Sequence, residues 1–128
     1  VAISYVEGKQ QYVEGGTSQG DSEGFFTRGM QQIFGINQEQ AIDFYCQIRC
    51  GLFHNGMTRS RVILFDDHTK SIDFHESDKI IVSPSKFLSV VEQDLEKYLL
   101  DLGKGTNKSL VDNFKLNWQQ KYNPDTNN

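Results

Sequence analysis

The stretch NQEQAIDFYCQIRCGLFHNG, Asn37–Gly56, decides how the chain folds. Asn37 followed three residues later by Gln40 has the pattern of a capping box, in which each side chain satisfies the other's free backbone N–H. Gly56 is a natural stop, so the pattern predicts one helix from about Gln38 to His54 or Asn55. With Cys46 set at zero and about 100° per residue, Ala41, Tyr45, Ile48 and Leu52 fall within about 200–260° and form a core-facing stripe. Ile42, Phe53, Cys46 and Cys50 fill a second apolar sector from about 320° to 40°, wider than one bundle neighbour requires. Arg49, near about 300°, and His54, near about 80°, flank that sector.

Apolar surface on two sides requires burial on two sides. This is either the central helix of a single bundle or a helix that also meets a second copy of the chain. The second arrangement is favoured, because a buried arginine with no acid beside it is costly, and the rim of a two-fold interface leaves it solvated. Gly51 costs the helix about 1 kcal/mol against Ala, which fits close approach of a neighbour or ligand. A homodimer through the helix at about 38–55 is therefore expected.

Outward from this helix the pattern is helical, then briefly strand-like, then helical again. Val1–Val13 reads as a helix broken near Gly8, and Gly15–Gly24 as a glycine- and serine-rich loop. Ser22 is a candidate N-cap for a helix carrying Phe25, Phe26, Met30, Ile33 and Phe34, ended by Gly35. Arg61–Phe65 and Ser71–His75 read as strands joined by DDHTK, with Lys79–Val82 as a third strand-like run; together they predict a small hairpin at about 61–82. Ser83–Pro84 starts a helix whose apolar positions are Phe87, Leu88, Val91, Leu95, Tyr98, Leu99 and Leu102, ended by Gly103. A last helix carries Leu110, Val111, Phe114, Trp118 and Tyr122, with the latter two spaced for a core, and NPDTNN reads as a frayed tail. The fold class expected is all-α: one domain over 1–128, a four- to five-helix bundle with a small inserted β-hairpin.

At 128 residues the chain can bury one core. Its net charge of −4 argues against nucleic-acid binding through overall charge. The distribution is uneven, however. From Tyr45 to Phe65 there is no acid while Arg49, Arg59 and Arg61 contribute +3, which leaves −7 on the rest of the chain. An anion is drawn to this window and repelled elsewhere. Cys46 and Cys50 lie one helical turn apart, unsuited to a disulfide, and are read as reduced, hence a cytoplasmic protein. No apolar run approaches a membrane span and no signal peptide is visible. The chain begins at Val1 and not at Met, so an upstream segment is expected to be missing.

Arginine donates two parallel hydrogen bonds to a phosphate and keeps its charge. Histidine titrates near neutrality and exchanges protons. Together they suit cleavage of an RNA phosphodiester, in which a neutral imidazole takes the 2′-OH proton and the guanidinium stabilises charge on phosphorus. The attacking group is internal to the substrate, so neither a metal nor another cofactor is expected. Arg49 and His54 are the candidate catalytic residues; Asn55, Arg59 and Arg61 are the candidate substrate contacts. Competing constellations are weaker. Cys46, Cys50 and His54, with His68 or His75 as a fourth ligand, lack a paired C-x2-C unit. GGTSQGDS, Gly15–Ser22, has the spacing of a phosphate loop but carries Asp21 where the lysine belongs. Asp66, Asp67, Asp73, Glu76 and Asp78 lack the ligand order of a calcium loop and read as a solvated acidic hairpin.

Arg49-Cys-Gly-Leu-Phe-His54, late in a helix of an all-helical domain, resembles the R-x4–6-H motif of the HEPN superfamily (higher-eukaryote and prokaryote nucleotide-binding domains). The string F-Y-x-x-I-R-C-G-L-F-H-x-G-M is similar to prokaryotic HEPN-like sequences over about Asn37–Thr58. The resemblance implies a dimeric helical bundle with two motifs facing one another. It also implies a metal-independent endoribonuclease of a toxin–antitoxin or other defence system, in which Arg49 and His54 inherit the catalytic role and RNA or a nucleotide is the ligand. An antitoxin protein is an expected partner. Two positions depart from the family pattern. Cys50 stands where a polar residue often follows the arginine. Gly56 stands where nucleotidylated members carry a tyrosine, so that regulation is not expected there. Some members are non-catalytic binding or interaction domains, and this alternative is kept. A purely structural helical dimer would instead tie Arg49 to an internal acid such as Asp43 or Asp101.

Overall fold

A computed structural model describes residues 2–16, 20–49, 62–74 and 79–122, and of Arg49, Lys121 and Tyr122 the backbone alone. The described chain is mostly helical with a small sheet inserted between its third and fourth helices. The helices are α1 (Ala2–Glu14), α2 (Ser22–Phe34), α3 (Gln38–Phe44, continued by a π turn over Tyr45–Arg49), α4 (Pro84–Lys104) and α5 (Lys108–Tyr122). The strands are β1 (Val62–Leu64), β2 (Ile72–Asp73) and β3 (Ile80–Val82).

Local chemistry sets most of the helix ends. Asn37 Oδ1 accepts from Gln40 N at 2.8 Å and Gln40 Oε1 accepts from Asn37 N at 3.1 Å, the reciprocal pair expected of a capping box. Gly35 caps α2 at φ 69°, and Ser83 precedes Pro84 in the first turn of α4. Three ends differ from expectation. α1 passes Gly8 unbroken, and nothing lies within 4 Å of where its Cβ would be. Ser22 does not cap α2, because its hydroxyl donates to Glu7 Oε1 at 2.7 Å; Asp21 takes over, its carboxylate accepting from Gly24 N at 3.2 Å. α4 runs through Gly103 to Lys104 and closes on Gly105, whose φ of 66° is left-handed and whose N–H donates to Leu102 O.

The core is an aromatic pile shared by α2, α3 and α4. Phe34 and Phe87 rings lie 4.7 Å apart, Phe87 and Phe44 5.9 Å, and Phe44 and Phe26 6.1 Å. Phe26, Phe44 and Met30 are fully buried, and each such side chain contributes about 1.5–3 kcal/mol through burial. Val6 brings α1 onto this core, and Gly29 of α2 lets the two helices approach closely: a Cβ there would stand 2.7 Å from Val6 O.

The sheet corrects the expected hairpin. β1 and β2 do not pair; β3 lies between them, parallel to β1 with Val62 opposite Ile80, and antiparallel to β2 with Ile72 opposite Val82. β3 alternates inward at Ile80 and Val82, both buried in the helical core. A strand with both edges paired and one face in the core is the natural place for the most apolar run. The leading leucines of α4 also depart from expectation. Phe87, Val91 and Tyr98 are buried, but Leu88, Leu95 and Leu99 are 47%, 39% and 57% exposed. Trp118, expected in the core, is 47% exposed and stacks on Phe114 at 6.0 Å.

Candidate functional site

The helix carrying Arg49 is anchored on one side by Ala41, Phe44 and Ile48, which are 0%, 0% and 4% exposed. Two of these were expected. Phe44 lay outside the predicted stripe, and half-buried Tyr45 tilts against Phe26 at 5.7 Å. The anchoring spacing of three and four residues is helical and holds the axis firmly. At Tyr45 the N–H reaches back to both Ala41 O and Ile42 O, and Tyr45–Arg49 forms a π turn. A π turn adds a residue to each hydrogen-bonded ring and is frequent at functional sites. It also changes the angular bookkeeping, so the projection at about 100° per residue applies only as far as Phe44.

On the opposite flank, Ile42 is 37% exposed and Cys46 half-buried. The second apolar sector is thus open to solvent at Ile42; its other members, Cys50 and Phe53, lie outside the described residues. So do His54, Asn55, Arg59 and Arg61, and the side chain of Arg49. The structure therefore brackets the candidate constellation and does not arrange it. Its two fixed ends are buried Ile48 on one side and Val62, paired with Ile80, on the other.

The acidic segment after β1 is not merely solvated. Asp66 Oδ1 accepts from Ser85 N at 2.8 Å, and its carbonyl accepts from Ser83 Oγ at 2.9 Å. Hydrogen bonds from Ser85 hold the Asp66 carboxyl below the usual carboxylate range, opposed by a smaller desolvation effect and helped by Ser83 and Lys86. Asp66 thus clamps the start of α4. Asp73 Oδ2 lies 2.8 Å from His68 Nε2, and Lys86 Nζ donates to His68 O. Glu76 and Asp78 lie outside the described residues.

Two polar clusters were not seen in the sequence. At the α1–α4 seam, Tyr5 Oη donates to Asp94 Oδ2 at 2.8 Å and Lys9 Nζ stands 3.2 Å from the same oxygen, with Lys9 also 5.5 Å from the Tyr98 ring centroid. Burial, then the hydrogen bond to Asp94, pushes the Tyr5 hydroxyl far above its ordinary range. At the α1–α5 seam, Asn117 Nδ2 donates to Gln11 O at 2.6 Å and Asn113 Nδ2 to Val13 O at 2.8 Å. Asparagines of α5 thereby bond to carbonyls in the last turn of α1, where Gln11 O also accepts from Gly15 N and Gly16 N. The signal available was Asn113 and Asn117 at a helical spacing of four.

Among the described residues no three His, Cys, Asp or Glu side chains gather to hold a metal ion, and no helix is long and apolar enough to cross a membrane. Comparison with protein families, with curated proteins and with solved structures finds no match for the chain.

Proposed function

We propose that this chain is a HEPN-type domain directed at RNA, acting as a metal-independent endoribonuclease of a defence or toxin–antitoxin system. The observation that carries the reading is the sequence motif Arg49-x4-His54, whose arginine follows Ala41, Phe44 and Ile48, all buried in the core, and lies in a π turn over Tyr45–Arg49. A mostly helical chain with a small β insert is in keeping with it.

In this reaction His54 removes the proton of the ribose 2′-OH, the 2′-oxygen bonds to phosphorus, and the bond to the 5′-oxygen breaks. The leaving oxygen takes a proton from the second copy's His54, and the products carry a 2′,3′-cyclic phosphate and a 5′-OH. Arg49 balances charge on the phosphoryl oxygens, and Asn55, Arg59 and Arg61 hold the flanking backbone. The second copy sits on the Ile42 flank, where an isoleucine is 37% exposed in the single chain. The purified protein should cleave single-stranded RNA in EDTA and leave cyclic phosphate ends. His54→Ala should abolish cleavage with the far-UV circular dichroism unchanged. Activity that is lost in EDTA, or that survives His54→Ala, refutes the reading.

Cys50 favours a second reading, since a polar residue often follows the arginine in the family it resembles. There the same dimer binds a nucleotide or RNA, or a protein partner, without turnover. Saturable binding of short RNA with no product would select it.

A further inference from the structure

We propose that one face of α4 docks an amphipathic helix of a partner protein whose flank carries lysine or arginine. The proposal is independent of the RNA-cleavage reading. Leu88, Leu95 and Leu99 are 47%, 39% and 57% exposed and, with half-buried Leu102, are separated by seven, four and three residues. That is the spacing of a coiled-coil seam, running about 21 Å along the helix. The core-facing side of α4 is a different stripe, Phe87, Val91 and Tyr98, centred about 70° away. Among the described residues the leucines are not taken up by the core, and a row of this kind marks an interaction surface. At the end of the row an open hollow of about 530 Å³ lies between Glu96, Leu99, Leu100, Gly103 and Lys104. An apolar anchor side chain from a partner fits there, because Gly103 has nothing within 4 Å of its missing Cβ.

Charge selects the occupant. On the open side of the leucine row the next positions, at about 40° and 80°, are Glu92 and Glu96. Both are exposed, and neither has an ion-pair partner among the described residues. Of the lysines of α4, Lys86 and Lys97 lie about 160–180° from the row, while Lys104 borders the hollow at its end opposite Glu96. In an antiparallel two-fold pairing of α4 with α4 of a second copy, the same flank meets itself. Glu92 and Glu96 would then face the partner's Glu96 and Glu92, which is repulsive. An anionic bilayer is repelled by the same carboxylates. A helix bearing apolar residues on one stripe and basic residues beside it satisfies both the leucines and the acids.

The test uses two synthetic amphipathic helical peptides with the same leucine seam, one flanked by lysines and one by glutamates, titrated against the full chain by fluorescence anisotropy. The lysine peptide should bind at least about tenfold more tightly than the glutamate peptide. Leu99→Glu should weaken it by about tenfold or more, and the double variant Glu92→Lys/Glu96→Lys should invert the preference. These substitutions are at exposed positions, and circular dichroism checks that the fold persists. Equal binding of both peptides, or binding indifferent to Leu99→Glu, overturns the proposal. Sedimentation showing a dimer that Leu99→Glu dissociates would put a second copy on this face. Co-sedimentation with phosphatidylcholine vesicles lost in Leu99→Glu would put a bilayer there. Either of these also overturns the proposal.

Discussion

Asp94→Ala tests how α1 is tied to α4. Asp94 is 19% exposed and Lys9 10% exposed at the side chain, with 3.2 Å between charges, and Tyr5 donates to the same carboxylate at 2.8 Å. Removing the carboxylate leaves an ammonium mostly out of water with no counter-charge, and a half-buried phenol without its acceptor. Breaking a buried pair in this one-sided way costs about 3–5 kcal/mol. Against a total stability of about 5–15 kcal/mol for a domain, that is a large share. For a chain of this length it lowers the melting temperature by about 10–20 °C. The double variant Lys9→Met/Asp94→Leu removes both charges and should recover to within about 1–3 kcal/mol of the parent, because desolvation nearly cancels the attraction in the intact pair and what remains is the Tyr5 hydroxyl left without its acceptor. Urea denaturation followed by circular dichroism at 222 nm, with thermal melts alongside, measures all three proteins. If Asp94→Ala costs less than about 1 kcal/mol, the pair behaves like an exposed one and the reasoning fails. It fails equally if the double variant is no more stable than the single.

Gly29→Ala should destabilise by about 1–3 kcal/mol, because its Cβ would stand 2.7 Å from Val6 O, whereas Gly8→Ala should stabilise by about 0.5–1 kcal/mol in an open helix position; paired urea titrations distinguish them. Tyr98 Oη is buried without a hydrogen-bond partner, so Tyr98→Phe should be neutral or stabilising by about 1 kcal/mol. Burial, with a smaller effect of Tyr12, pushes the Tyr98 hydroxyl up to about 12 from an ordinary 10.0. Stability from keeping it neutral is complete below about 10 and is lost as pH rises towards about 12, so alkaline melts of the parent should fall faster than those of Tyr98→Phe. At Glu14, burial acts to raise the carboxyl, but hydrogen bonds from Arg28 and Gln10 and the charge of Arg28 together hold it below the usual range. Its contribution is present above the unfolded carboxylate pKa and lost as pH falls through the folded value. The stability difference between the parent and Glu14→Gln should therefore be flat near neutrality and shrink in acid, as pH-stepped denaturation will show.

The candidate site was legible only as a pattern. Arg49 and His54 stand out because two polar groups interrupt an apolar helix with no acid beside them, and that contrast is visible in the string itself. The π turn was not visible, since nothing in Tyr45–Arg49 distinguishes it from α-helix at the level of residue type. It arises where Phe44 and Ile48 are both held in the core. The asparagine seam and the Tyr5–Lys9–Asp94 cluster escaped notice for a related reason. Hydrophobic periodicity finds buried apolar residues and is blind to polar groups that are buried because they are paired.

The amino-acid string by itself determined three helix boundaries: the starts of α3 and α4 and the end of α2. Asn37 with Gln40, Ser83 with Pro84, and Gly35 act through atoms within four residues of themselves, so their effect is readable without the rest of the chain. Only the tertiary structure decided which apolar faces are used. β3 entered between β1 and β2, and the leucines at 88, 95 and 99 were left outside while Phe87, Val91 and Tyr98 went in. Both are choices among surfaces of nearly equal hydrophobicity. They are settled by whichever combination closes around the one aromatic core, and that closure depends on residues far apart in sequence.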